Sequence, residues 1–141
     1  MTGMIQGVFC WIGRALLALI FLASGANKIT SFPETMESMR AEGMLLVPVF
    51  LVGAIGFELI GGLSVLLGVK ARWGALLLIA FLIPVTLIFH DFWQYEGAEQ
   101  QMQMIQFMKN LSILGGLTLV FAHGAGPWTL DSRAAHRRRK A

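Results

Sequence analysis

Charge is what this sequence has least of. Only 13% of its 141 residues are Asp, Glu, Lys or Arg, about half the share usual in soluble domains, too little to wet a globular surface. A single cysteine excludes an internal disulfide framework, an iron–sulfur cluster and any thiolate metal site held by this chain alone. Histidine is scarce too, with three in the chain. His90 and His123 fall at opposite ends of neighbouring apolar runs, so no haem is expected between them. No P-loop, dinucleotide fingerprint or serine elbow occurs. The excess of basic residues is modest, +3, and five of the eleven lie in the last nine positions. That basicity describes a tail, and nucleic acid is not an expected partner.

What the sequence has in abundance is apolar length. Hydrophobic residues make up 56% of the chain, gathered into four runs over about 5–26, 44–67, 73–90 and 104–122. Each is close to the roughly 20 residues a helix needs to cross the hydrocarbon core. Backbone groups in lipid must bond within the protein, and no alternating pattern suggests a barrel. The expected fold class is therefore all-α: a four-helix transmembrane bundle over residues 1–130, followed by a basic tail over 131–141. Ser24-Gly25-Ala26 resembles a leader-cleavage site, but no positive charge precedes the run and Arg14 interrupts it, so cleavage is not expected.

Lys70, Arg72 and the tail (Arg133, Arg137, Arg138, Arg139, Lys140) share one side of the expected bundle. The opposite loops carry Lys28 and Arg40 against six acidic residues, Glu34, Glu37, Glu42, Asp91, Glu96 and Glu99. The positive-inside rule then places both termini in the cytoplasm of a multi-pass protein of a bacterial inner membrane. In the first outer loop, Phe32-Pro33-Glu34-Thr35 reads as a helix start. Met36, Met39, Met44 and Leu45 would form the apolar side of a short interfacial helix.

Ionisable groups inside a span are costly and normally face a partner in the bundle. Counted from their span ends, Arg14 and Glu58 both lie roughly 13 Å deep, which predicts an intramembrane Arg14–Glu58 ion pair. Ala18, Ala54, Gly61 and Gly62 would permit close approach around it. Arg14, Ala18, Phe21, Gly25 and Lys28 follow one helical stripe, which turns Lys28 toward the same interior at the outer end. There it would meet His90, Lys109 and Asn110, with Thr86 one turn beneath His90. Together these four residues, Lys28, His90, Lys109 and Asn110, form a candidate ligand-binding pocket open to the outside. Ser112, Gly115 and Gly116 would allow tight packing of the fourth helix. Cys10 reads as packing.

Four blocks carry a resemblance to a known family: Gly13-Arg14 and Gly25-Ala26-Asn27-Lys28; Glu58-Leu59-Ile60-Gly61-Gly62 with Leu66-Leu67-Gly68; His90-Asp91-Phe92-Trp93; and Gln106 through Leu111 with Leu114-Gly115-Gly116, the most specific of them. In this order, over nearly all of residues 10–131, they resemble the DoxX family of small bacterial inner-membrane proteins. The resemblance implies a four-helix membrane fold. Some members are membrane subunits of sulfur-compound:quinone oxidoreductases or belong to redox-defence assemblies. The expected function is accordingly a membrane subunit of a quinone-linked oxidoreductase or redox-defence complex, with quinone as its cofactor and a redox subunit as its partner. Two alternatives stand beside it: a small-molecule transporter working as a homo-oligomer, and a non-catalytic membrane anchor for a partner enzyme.

Overall fold

The computed structural model describes residues 2–131. Among them the chain is all helix: α1 (Thr2–Thr30), α2 (Phe32–Ala41), α3 (Val47–Leu67), α4 (Ala71–Phe89), a 3-10 turn (Phe92–Gln94) and α5 (Gly97–His123). Four of these helices, α1, α3, α4 and α5, are long and apolar enough to cross a membrane. Each packs on the next in chain order, while α1 and α5 meet at a narrower contact. The expected tail lies outside the described residues from position 132 onward.

Helix boundaries follow local chemistry. α3 starts at Val47 rather than 44, because Leu46 takes a left-handed conformation (φ 54°) and Pro48 sits in the first turn. Pro is tolerated there because the first-turn N–H groups have no helical partner. α3 ends at Gly68, whose φ of 68° is left-handed, a conformation glycine adopts without a steric penalty. A Cβ there would also strike Arg14 and Thr129. α5 begins seven residues before the apolar run at 104, because its first turns, Gly97 to Gln103, are helical but polar.

The expected short helix in the first loop is α2, with Pro33 in its first turn. Met36, Met39 and Met44 pack with Val47, Leu51 and Phe89 beneath it. Leu45 instead points outward, 81% exposed. The Phe92, Trp93 and Phe107 rings stack edge to face, centroids 5.3–6.2 Å apart, and hold the 3-10 turn against α5.

The bundle centre is Phe21, Val65, Ala75, Leu78, Leu82 and Leu117. Small residues set the helix spacing around it. Adjacent residues on a helix point about 100° apart, so Gly61 and Gly62 serve different neighbours. A Cβ on Gly61 would lie 2.6 Å from Leu78 of α4, and one on Gly62 would lie 2.9 Å from Leu22 of α1. Gly116 takes Leu17 of α1 in the same way. Gly115 and Ser112 do not pack as expected: Ser112 is exposed and Gly115 faces open space.

Exposed apolar residues are spread over all four long helices, including Phe9, Leu16, Val52, Ile60, Trp73, Leu87, Leu111 and Leu119. With hydrocarbon as the surrounding solvent this is the expected exterior. Gly61→Leu should destabilise the detergent-purified protein by about 1–3 kcal/mol through overpacking. Gly115→Leu should stay within about 0.5 kcal/mol of the parent. Thermal unfolding of the two variants side by side checks the assignment of faces.

Candidate functional site

The stripe Arg14, Ala18, Phe21, Gly25 and Lys28 faces inward, its first four members buried and Lys28 half-buried. Its two cations do not share a partner. Lys28 Nζ donates to Glu58 Oε1 at 3.0 Å and to Ser24 Oγ at 2.7 Å. The carboxylate side chain is 3% exposed. Glu58 thus pairs with Lys28, and the expected Arg14–Glu58 pair is corrected.

The reason lies in helix register. Gly25 sits opposite Leu59 and Glu58, Gly62 opposite Leu22 and the Ala18 carbonyl, and Arg14 opposite Val65 and Leu66. α3 therefore ends level with Arg14, and the first turns of α1 run on past it. Counting both depths from flush span ends misplaced Glu58 by about three turns. With 29 residues, α1 is about 43 Å long, against a hydrocarbon core of about 30 Å.

Arg14 is satisfied by carbonyls instead. Its Nη2 donates to Trp128 O at 3.0 Å, and longer contacts of 3.4–3.5 Å reach Cys10, Val65 and Leu66. The last two belong to the final turn of α3, where carbonyls lack helical donors and the dipole is negative. Trp128 arrives there because residues after α5 fold back as a hook. Its ring covers Gly7, Gly126 lies against Cys10, and Asp131 Oδ2 accepts from the Lys70 N–H at 2.7 Å. Arg14 is thus a structural tie at the turn end of the bundle.

The other end holds a cavity of about 850 Å3, within the range of small-molecule sites. Lys28, His90, Lys109 and Asn110 all line it, as do Ser24, Asn27 and Glu58. They differ in depth. Asn110 is buried and donates to Thr86 Oγ1 at 3.1 Å, and that hydroxyl donates to Leu82 O at 2.7 Å. Lys109, one position earlier on α5, is exposed at the rim and donates to Gln106 Oε1. His90 Nδ1 donates to Gln103 Oε1 at 2.9 Å, which leaves Nε2 of the neutral ring as an acceptor.

Glu58 is the member the sequence reading placed elsewhere. Its Oε2 is buried without a hydrogen-bond partner. The Ser24 hydroxyl stands beside the carboxylate, but at hydrogen-bond length it reaches the ammonium. Lys28 uses two of its three donors on Ser24 and Glu58. The site therefore offers donors and an acceptor side by side, inside mostly apolar walls. Ser24 carried no signal of its own, since a helical serine is often satisfied by the backbone; only its place one turn before Lys28 pointed to it. Among the described residues no three His, Cys, Asp or Glu side chains stand where they could hold a metal ion. Outside the spans, Tyr95 lies among Glu42, Asp91 and Glu99; loss of water first, then these acids, push its phenol above the ordinary value.

A family model described as DoxX matches residues 9–91. The fourth-helix block at 106–116 lies beyond that match, which runs from α1 to the end of α4. The chain is 34% identical over 128 residues to the inner membrane protein YqjF of Escherichia coli (strain K12), covering 90% of this chain and 92% of that protein. It is 30% identical over 131 residues to the inner membrane protein YphA of the same organism, covering 93% and 94%. Identity to the ER-derived vesicles protein ERV29 of Saccharomyces cerevisiae is 25% over 128 residues, 91% of this chain but 34% of that protein. No solved structure matches.

Removing one partner of a buried ion pair strands the other charge. Lys28→Met should therefore cost about 3–5 kcal/mol, and Glu58→Ala should be similarly damaging. Lys28→Met combined with Glu58→Leu should recover most of that loss, whereas Arg14→Met combined with Glu58→Leu should not. Thermal unfolding of the single and double variants in one detergent reads the coupling.

Proposed function

The chain belongs to the DoxX family, and from that premise we propose that it is an integral protein of the bacterial inner membrane whose cavity binds the head of a quinone. In this reading the protein is the membrane subunit of a quinone-linked oxidoreductase or redox-defence complex. One observation carries it: the ammonium of Lys28, with one of its three donors left over, lies beside the unpartnered Oε2 of Glu58 at the wall of a cavity otherwise lined mainly by apolar side chains.

A quinone head alternates between carbonyl and hydroxyl oxygens. It therefore needs a donor in one state and an acceptor in the other. Lys28 has an N–H to offer a carbonyl, and Glu58 Oε2 has a lone pair to accept from a hydroxyl. In a site that excludes water, an unmatched polar atom costs about 1–3 kcal/mol, so a ligand that satisfies Glu58 Oε2 is favoured over an apolar one. Asn110, fixed by Thr86, sets a polar edge opposite the pair. His90 adds its imidazole to the outer part of the lining, and Lys109 adds positive charge at the rim. The quinone supplies the two-electron chemistry, and the chain's residues bind and orient its head.

Charge distribution supports an orientation with the cavity facing away from the cytoplasm. Lys70 and Arg72 lie at the turn end, and the acidic loop residues lie at the His90 end. Reporter domains fused after α5 should be active only as cytoplasmic reporters, while reporters inserted at Gly97 should be active only as periplasmic ones.

Protein purified in mild detergent from bacterial membranes should carry isoprenoid quinone detectable by mass spectrometry. Asn110→Leu, which keeps the size of the side chain but removes its amide, should weaken decylubiquinone binding in nanodiscs by about tenfold. A preparation free of quinone that also fails to bind decylubiquinone sinks the reading.

A further inference from the structure

The cavity is not walled off from the lipid. α3 and α4 lie in close contact at the turn end, where a Cβ on Gly61 would stand 2.6 Å from Leu78 and 3.2 Å from the Gly74 carbonyl, and where Gly74 abuts Ser64. Toward the His90 end the helices touch through side chains alone: the Phe57 and Phe81 ring centroids lie 6.4 Å apart, and Phe89 packs with Val47 and Leu51. Between these contacts Gly53 of α3 lines the cavity, and a Cβ there would meet nothing within 4 Å. The two helices thus leave an unfilled gap at the level of Gly53.

The residues flanking the gap are accessible ones. Phe50 and Phe57 on α3, and Pro84 and Ile88 on α4, line the cavity and are all exposed. All four fall within membrane-spanning segments, so the outside at this level is hydrocarbon rather than water. Pro84 also has no N–H, which leaves the Ala80 carbonyl without its i+4 donor on the same wall. Passing inward, the lining changes from aromatic and aliphatic side chains to the Lys28–Glu58 pair and Asn110. That is the order of groups in an amphiphile lying with its tail in the bilayer and its head in the protein.

We infer that the ligand enters sideways from the bilayer between α3 and α4, and that its tail rests in the gap over Gly53 while its head reaches Lys28 and Glu58. The inference rests on the reading of the cavity as a quinone-head site and adds the route and the seat of the tail. A substrate arriving from water has no use for an apolar mouth at this depth. Gly53 keeps the seat vacant, because any side chain at that position would project into it without straining the helix.

The test is Gly53→Phe, with Gly115→Phe as a control that adds the same ring to an open face of α5 away from the cavity. Both positions have room, so both variants should fold with thermal stability close to the parent. Decylubiquinone binding is measured in nanodiscs of one lipid composition. Gly53→Phe should weaken it about tenfold or more, and Gly115→Phe should leave it within about twofold. A quinone bearing an azido group on its tail should label residues 50–57 or 80–88 of the parent protein. Unchanged binding by Gly53→Phe, equal loss in both variants, or tail labelling confined to α1 and α5 overturns the lateral route while the quinone reading stands. Failure of the parent protein to bind decylubiquinone overturns both.

Discussion

A bilayer interior offers no water to finish a hydrogen bond, and this constraint orders most of what the chain does with its few polar groups. Two cations on one face of α1 meet it in different ways. Lys28 is matched by an acid from α3, and Arg14 by backbone carbonyls, that of Trp128 in the hook and, at longer range, those at the C-terminal end of α3. The second solution needs no opposite charge at all. It also explains why the planar, five-donor guanidinium stands at the helix end and the compact ammonium beside the carboxylate. Asn110 and Thr86 repeat the pattern in neutral form, passing a hydrogen bond from α5 to α4 and on to the backbone.

Against that background the stranded oxygen of Glu58 is the exception. Within the described residues every other buried side-chain nitrogen or oxygen finds a partner. It lies at the wall of the cavity, so an unmet polar atom and unfilled space coincide. Packing defects and unmet polar atoms each cost stability. Their coincidence beside a cavity of ligand size is a stronger pointer to function than either one alone.

The four membrane helices were legible from the sequence because hydrocarbon thickness imposes a run length that composition alone reveals. The short helix after Pro33 was legible from its start signals. The inward stripe on α1 followed from spacing, and with it the presence of Lys28, His90, Lys109 and Asn110 around one space. Partner choice was not legible. It depends on how far α1 slides along α3, and apolar runs do not report the offset between two helices. The same ignorance hid the roles of Gly61 and Gly62, which look alike in sequence but face different helices. Lys109 shows a further limit: neighbouring positions on a helix diverge by about a quarter turn, so one member of the pair Lys109-Asn110 had to sit at the edge.

The hook formed by residues 124–131 has a consequence for biogenesis. Arg14 enters the membrane with α1, whereas its shortest hydrogen bond is donated to the carbonyl of Trp128, among the last described residues to leave the ribosome. During translation of the intervening hundred or so positions the guanidinium has within the chain only its longer contacts, to Cys10 and, once α3 is in place, to Val65 and Leu66. Assembly is therefore sealed from behind α5: the nascent bundle stays incomplete around Arg14 until the hook has been made.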